Sequence, residues 1–155
     1  MKLNYKIVIA DTSCLILLYK IDELDILNAL FEEIYITEDI AKEFGNKLPQ
    51  WINIKKSKDQ HYKKVLEMEV DEGEASALAL YFDLSNVILV LDDYKARKTA
   101  EKLDLNYTGT FGILLRAKKL GIIKELKPIT EKIKTTNFRF SDELFHLLLK
   151  EAGEL

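Results

Sequence analysis

Ile7-Val8-Ile9-Ala10-Asp11-Thr12-Ser13 is a short apolar run that ends abruptly in a carboxylate and two hydroxyls. An unbroken apolar run of this length, bounded by polar residues, reads as a strand buried on both faces, the strand type of parallel sheets. Ligands of open α/β sheets collect beyond the carboxyl ends of such strands, where Asp11 stands. Taken alone, Asp11 or Thr12 is equally well explained as the cap of a helix beginning near Cys14. The pattern returns at Val87-Ile88-Leu89-Val90-Leu91-Asp92-Asp93, so two strands deliver acids to what should be one sheet edge.

Helical patterns fill the space between the strands. Residues 14–20 and 22–33 read as helices, the second with Leu24, Leu27, Leu30 and Phe31 at helical spacing. A short strand is expected at 34–36, after which Thr37 offers an N-cap, Glu38 and Asp39 suit a first turn, and Gly45 supplies a stop. Ile40 and Phe44 form the buried pair of that helix and leave Glu43 beside the apolar stripe. Trp51-Ile52-Asn53-Ile54 reads as extended, 58–69 as a basic helix, and Asp71-Glu72-Gly73-Glu74 opens a helix with Ala75, Leu78, Ala79 and Phe82 on one face. Further helices are expected at 95–103, from Gly109-Thr110 to about Gly121, from Pro128, and over 142–152 behind a Ser141 cap, with a strand at 106–108. Strands separated by helices predict an α/β fold with a mainly parallel sheet and right-handed crossovers. With 155 residues, 48% of them hydrophobic, we expect a single domain over residues 1–155.

The net charge of -3 is unevenly spread. Residues 65–92 hold seven acids and no Lys or Arg, whereas residues 93–139 hold twelve bases against five acids. Such segregation can set an acidic pocket beside a basic surface, as a metal-dependent enzyme acting on a polyanion requires. Each Lys cluster is also explicable as a solvated helix face. The lone Cys14 forms no internal disulfide, no charged-then-apolar leader opens the chain, and no apolar stretch approaches the roughly twenty residues that cross a bilayer. The expectation is a cytoplasmic protein without membrane association.

Four places offer carboxylates that can converge: Asp11, Glu43, Glu74 and the Asp92-Asp93 pair. Like charges gathered closely raise one another's pKa, so such a cluster persists chiefly when a cation neutralises it. Oxygen donors select Mg2+ or Mn2+, and Mg2+ takes one or two carboxylates directly while keeping water. Each acid also has a purely structural account. Glu74 follows Asp71 at capping-box spacing, Glu43 suits an exposed helix face, and one of Asp92 and Asp93 can cap the next helix.

Together, Asp11-Thr12-Ser13 after an apolar strand, Glu43 in Ile40-Ala41-Lys42-Glu43-Phe44, Gly73-Glu74-Ala75-Ser76-Ala77-Leu78-Ala79, Asp92-Asp93 and the stretch Thr108-Gly109-Thr110-Phe111-Gly112-Ile113-Leu114-Leu115-Arg116-Ala117-Lys118 resemble a PIN domain of the bacterial and archaeal type. The resemblance covers nearly the whole chain. It implies a three-layer α/β/α sandwich and a Mg2+- or Mn2+-dependent endoribonuclease, often the VapC-type toxin of a toxin-antitoxin pair. Carried over residue by residue, it makes Asp11, Glu43, Glu74, Asp92 and Asp93 the catalytic acids, with Asp11, Glu74 and Asp92 or Asp93 as metal ligands. Where some PIN domains have an acid after the next strand, this chain has Thr108 and Thr110, which leaves a second metal position open. Thr12 and Ser13 are placed to orient a ligand carboxylate or bound water.

From the charge segregation we expect Lys95, Arg97, Lys98, Arg116, Lys118 and Lys119 to form a basic rim on RNA phosphates. A small antitoxin protein that inserts an Arg or Lys among the acids is the expected regulator of such a toxin. Exposed helix faces on a small α/β domain lead us to expect a two-fold homodimer. The competing enzyme class, an aspartyl-phosphate phosphatase, needs a second acid two residues after Asp11, where Ser13 stands. A receiver needs its acidic pair after the first strand, whereas the adjacent pair here ends a late one. The competing non-enzymatic reading is a PIN-like module that binds RNA or a protein with little turnover. His61 and His146 lack the company a zinc site needs, Cys14 reads as core, and Tyr94 and Tyr107 suit packing better than base stacking.

Overall fold

In the computed structural model, which describes residues 5–155, five strands form the sheet: β1 (Ile7–Ala10), β2 (Glu33–Ile36), β3 (Ile52–Ile54), β4 (Val87–Val90) and β5 (Tyr107–Thr108). They pair in the order β3-β2-β1-β4-β5, and every pair is parallel. The sheet is thus more uniform than the mainly parallel one expected. Residues 1–4 of the expected domain lie outside the described residues. β1 and β4 are the innermost strands in packing terms as well, since Val8, Ile9, Ala10 and all of β4 are buried. Each fully buried aliphatic side chain of this kind contributes roughly 1.5–3 kcal/mol through apolar transfer.

The helices are α1 (Thr12–Lys20), α2 (Asp25–Leu30), α3 (Glu38–Phe44), α4 (Gln60–Leu66), α5 (Glu72–Tyr81), α6 (Tyr94–Lys102), α7 (Thr110–Lys119), α8 (Lys127–Lys134) and α9 (Asp142–Glu151). They cover the sheet as a three-layer α/β/α sandwich. α5 packs on α3 and α4 and reaches β1 and β4, while α7 packs on α2 and α9.

Two helices are shorter than their apolar periodicity predicts. The expected helix over 22–33 shrinks to α2 because Asp22 turns left-handed at φ 58°, Phe31 is already extended, and Glu33 pairs with β1. The expected basic helix over 58–69 shrinks to α4, whose start is fixed by Asp59 accepting from Tyr62 N at 2.9 Å. α1 instead begins two residues early, at Thr12, because Asp11 caps it. Gly45 ends α3 in the left-handed conformation at φ 70°, as its position after the apolar pair implied.

The chain leaves β1 towards β2 on one side and reaches β4 on the other, so the sheet reverses its winding between β1 and β4. That reversal opens the crevice in which doubly wound sheets place their ligands. Ala10 stands opposite Val90, and Asp11 N donates to Val90 O at 3.3 Å. Asp11 and Asp92 therefore leave their strands side by side.

Candidate active site

Asp11 is only 4% exposed, although it sits at the rim of the sheet. Its Oδ1 accepts from Cys14 N at 2.8 Å, which caps α1, and its Oδ2 accepts from Asp92 N at 3.2 Å and Ser13 Oγ at 3.3 Å. Burial, reinforced by the nearby Asp92 carboxylate, pushes the Asp11 carboxyl up to about 7. The capping explanation and the site explanation thus hold for the same side chain. One oxygen starts α1 while the other ties β1 to the turn after β4.

The acidic doublet divides its work. Asp92 turns to α7, where Oδ1 accepts from Thr110 N at 2.9 Å and Oδ2 from Thr110 Oγ1 at 2.5 Å. It thereby caps a helix whose own N-cap residue, Gly109, has no side chain to do so. Arg97 leans on the same carboxylate, with Nη2 3.9 Å from Oδ1, while its Nε donates to Leu91 O at 2.6 Å and its guanidinium lies over the Tyr107 ring. Asp93 caps α6 through Ala96 N at 3.0 Å and lines an open cleft of about 290 Å3.

Thr12, Ser13, Ile16, Glu43, Asp71, Glu74, Asp93 and Phe138 line this cleft. Glu74 reaches it because Asp71 fixes the start of α5 by accepting from Glu74 N at 2.9 Å. A capping box would turn the Glu74 side chain back to the Asp71 backbone, but here it meets the Asp71 carboxyl instead. Burial comes first among the causes that push Glu74 up to about 8, followed by its hydrogen bond and repulsion with Asp71 and the charges of Asp93 and Asp11. Glu43 is exposed, and its Oε1 accepts from Thr12 Oγ1 at 3.0 Å. Glu43 also lines a second cleft of about 410 Å3 between α3, α4 and α5, bordered by Lys42, Lys56, Ser57, Gln60 and Lys63.

The structure thus brings Asp11, Glu43, Glu74, Asp92, Asp93, Thr12 and Ser13 to one end of the sheet. The six basic residues do not share one place. Lys95, Arg97 and Lys98 occupy the first turns of α6, with Arg97 engaged inward by Leu91 and Asp92 and with Lys95 and Lys98 lining a separate depression beside Glu69. Arg116, Lys118 and Lys119 lie in the last turn of α7. α7 starts at the site and runs away from it, so Lys118 is about 12 Å along the axis from Thr110. There Lys118 pairs with Glu154 at 3.1 Å and donates to Lys124 O at 2.7 Å.

Four contributors escaped the sequence reading. Asp71 was visible only as a cap, and Ile16 and Phe138 only as apolar residues, because a cleft wall has no local sequence signal. Thr110 was noted as the absence of an acid, yet its hydrogen bonds to Asp92 are what that position supplies.

The donor set is all oxygen, and its two members pushed upward, Asp11 and Glu74, are those in which burial and neighbouring acids outweigh the hydrogen bonds that favour the ionised form. Among the described residues no three acidic, His or Cys side chains converge tightly enough to enclose a metal ion. The arrangement therefore fits a hydrated hard cation held by one or two carboxylates, the coordination Mg2+ prefers, and not a closed cage.

The family model described as a PIN domain matches residues 7–154. No curated protein and no solved structure matches the chain.

Proposed function

This chain belongs to the PIN domain family, whose members are generally nucleases, and we propose that it is a divalent-metal-dependent endoribonuclease acting as the toxin of a toxin-antitoxin pair. The observation that carries the reading is the junction of β1 and β4, where Asp11 accepts from the backbone of Asp92 and both carboxylates stand in the winding-reversal crevice. One or two of Asp11, Glu74 and Asp93 would hold Mg2+ or Mn2+, the others reaching it through water, while Asp92 keeps the turn after β4 and the start of α7 in register. When bound, the ion activates water and neutralises charge on the phosphodiester. Thr12 and the space above Gly73 orient Glu43, and we assign Glu43 Oε2 the role of accepting a proton from water. Ser13 steadies the outer oxygen of Asp11.

A polymer suits the surface better than a mononucleotide. Glu43 lines both clefts, so a strand lying across the acids continues past Lys42 and Lys56 in the larger one, and exposed Lys95 and Lys98 on α6 offer it further phosphate contacts. No described helix is long and apolar enough to cross a membrane. We further propose a single domain, a cytoplasmic site of action, a small antitoxin partner whose Arg or Lys competes for the acids, and a two-fold homodimer. Exposed Leu144 and Leu147 on α9 favour the last of these.

The test is incubation of the purified chain with single-stranded RNA in Mn2+ and in EDTA. Endonucleolytic cleavage in Mn2+ alone supports the reading. Unchanged RNA in both, with intact RNA binding, favours the non-catalytic module instead.

A further inference from the structure

The lining of the cleft beside the acids is of two kinds. Carboxylates and hydroxyls make up the one, and Ile16 and the half-buried ring of Phe138 the other. Phe138 comes from the segment joining α8 to α9, which contributes no acid to the site. That segment is tethered on both sides of Phe138. Asn137 Oδ1 accepts from Lys20 Nζ at 2.6 Å, and Phe140 packs against Phe111 at 4.6 Å between ring centroids and against Phe145 at 5.9 Å. Lys20 Nζ also stands 5.7 Å from the Phe138 centroid. Phe138 N donates to Thr136 Oγ1 at 3.1 Å, and Arg139 Nη1 donates to the carbonyls of Thr136 and Phe138 at 2.9 and 3.2 Å. The backbone around the ring is thereby fixed, and the ring is held on the cleft while its neighbours are committed elsewhere.

A nucleotide is divided in the same way as the cleft, into an anionic phosphate and a base with apolar faces. Aromatic rings bind bases of any identity by stacking, and the ring reaches a base only when that base has left its own stack. We propose that Phe138 is a positioning residue of this site, the platform on which the base next to the scissile phosphate stacks. This rests on the ribonuclease reading above. The stack fixes which phosphate of an unpaired strand reaches Asp11 and Glu74. A base-paired nucleotide, covered on both faces, gains nothing from it.

The test uses the full chain carrying Asp11→Asn to block turnover, with a short mixed-sequence single-stranded oligoribonucleotide and its duplex as probes. Phe138→Ala and Phe138→Leu should each weaken single-strand binding by at least about tenfold and leave duplex binding unchanged, and Phe138→Trp should restore it. Leu keeps the apolar packing, so a shared loss in Ala and Leu comes from the missing ring face and not from unfolding. The indole of Phe138→Trp should also be quenched by the single strand beyond any change in Trp51 of the parent protein. Equal single-strand affinity in all variants, or no added quenching in Phe138→Trp, overturns the platform. If the chain without Asp11→Asn cleaves RNA in Mn2+ while Phe138 variants bind normally, the platform alone falls. If that chain neither cleaves nor binds RNA, the ribonuclease reading falls and takes the platform with it.

Discussion

The carboxylate of Glu43 on α3 rests on Gly73 of the adjoining α5, in space that any other residue would fill: a Cβ built on Gly73 overlaps Glu43 Oε1 and lies 3.1 Å from Cδ. Gly73 lies in the first turn of α5, so Ala there improves helix propensity by up to about 1 kcal/mol. Gly73→Ala should therefore keep or slightly raise thermal stability while lowering RNA cleavage at least about tenfold by displacing Glu43. Parallel melting curves and single-turnover rates check this. Full activity in a folded Gly73→Ala protein would remove Glu43 from the mechanism.

The acids set the pH dependence of the metal-free protein. A carboxyl whose folded pKa is raised binds more protons folded than unfolded, so its contribution to stability falls as pH rises from the unfolded value towards the folded one. For Asp11 that interval runs from 3.8 to about 7, and for Glu74 from 4.5 to about 8. In EDTA the protein should lose stability steadily between pH 5 and pH 8, the Asp11 share being on the order of a few kcal/mol. Asp11→Asn should flatten the lower part of that slope and melt higher than the parent at pH 8. Parallel slopes in the two proteins would contradict the burial-driven shift.

Thr110 holds Asp92 through both its backbone N–H and its hydroxyl. Thr110→Val keeps the volume and removes the hydroxyl donor, leaving Asp92 Oδ2 short of a partner. The expected cost is about 1–3 kcal/mol, read by urea denaturation. A loss below about 0.5 kcal/mol would mean that this bond contributes little to anchoring α7.

The two basic clusters should separate by measurement. Charge reversal at Lys95 and Lys98, in the first turns of α6, should weaken RNA binding and flatten its dependence on salt. Reversal at Lys118 should act on stability instead, because it puts a second acid against Glu154, which accepts from Leu126 N at 2.7 Å and Lys127 N at 3.0 Å. Equal effects of the two reversals on RNA affinity would restore a single continuous rim.

Much of this was legible in the chain because the decisive features are local. The runs Ile7–Ala10 and Val87–Val90 are apolar throughout, and a buried parallel strand has no other signature. Caps at Asp11, Thr37, Asp71, Asp93 and Ser141 likewise act within three residues of their own position. Local periodicity failed where tertiary pairing overrode it, as when Glu33 entered β2, paired with Ile7 of β1 and ended the helical pattern of 22–33. The division of labour between Asp92 and Asp93 was not legible, because it depends on Thr110, eighteen residues away, meeting the first of them. The separation of the six basic residues into two groups was hidden for a similar reason. Composition places twelve bases in one stretch but does not record that α7 carries three of them away from the acids.

The most direct test of the account is the single-turnover cleavage of single-stranded RNA by the purified chain and by Asp11→Asn, each in Mn2+, with melting curves to certify folding. The account predicts cleavage that EDTA abolishes and a loss of several orders of magnitude in a folded Asp11→Asn protein. Cleavage at the parent rate by Asp11→Asn, or by the parent chain in EDTA, would contradict it.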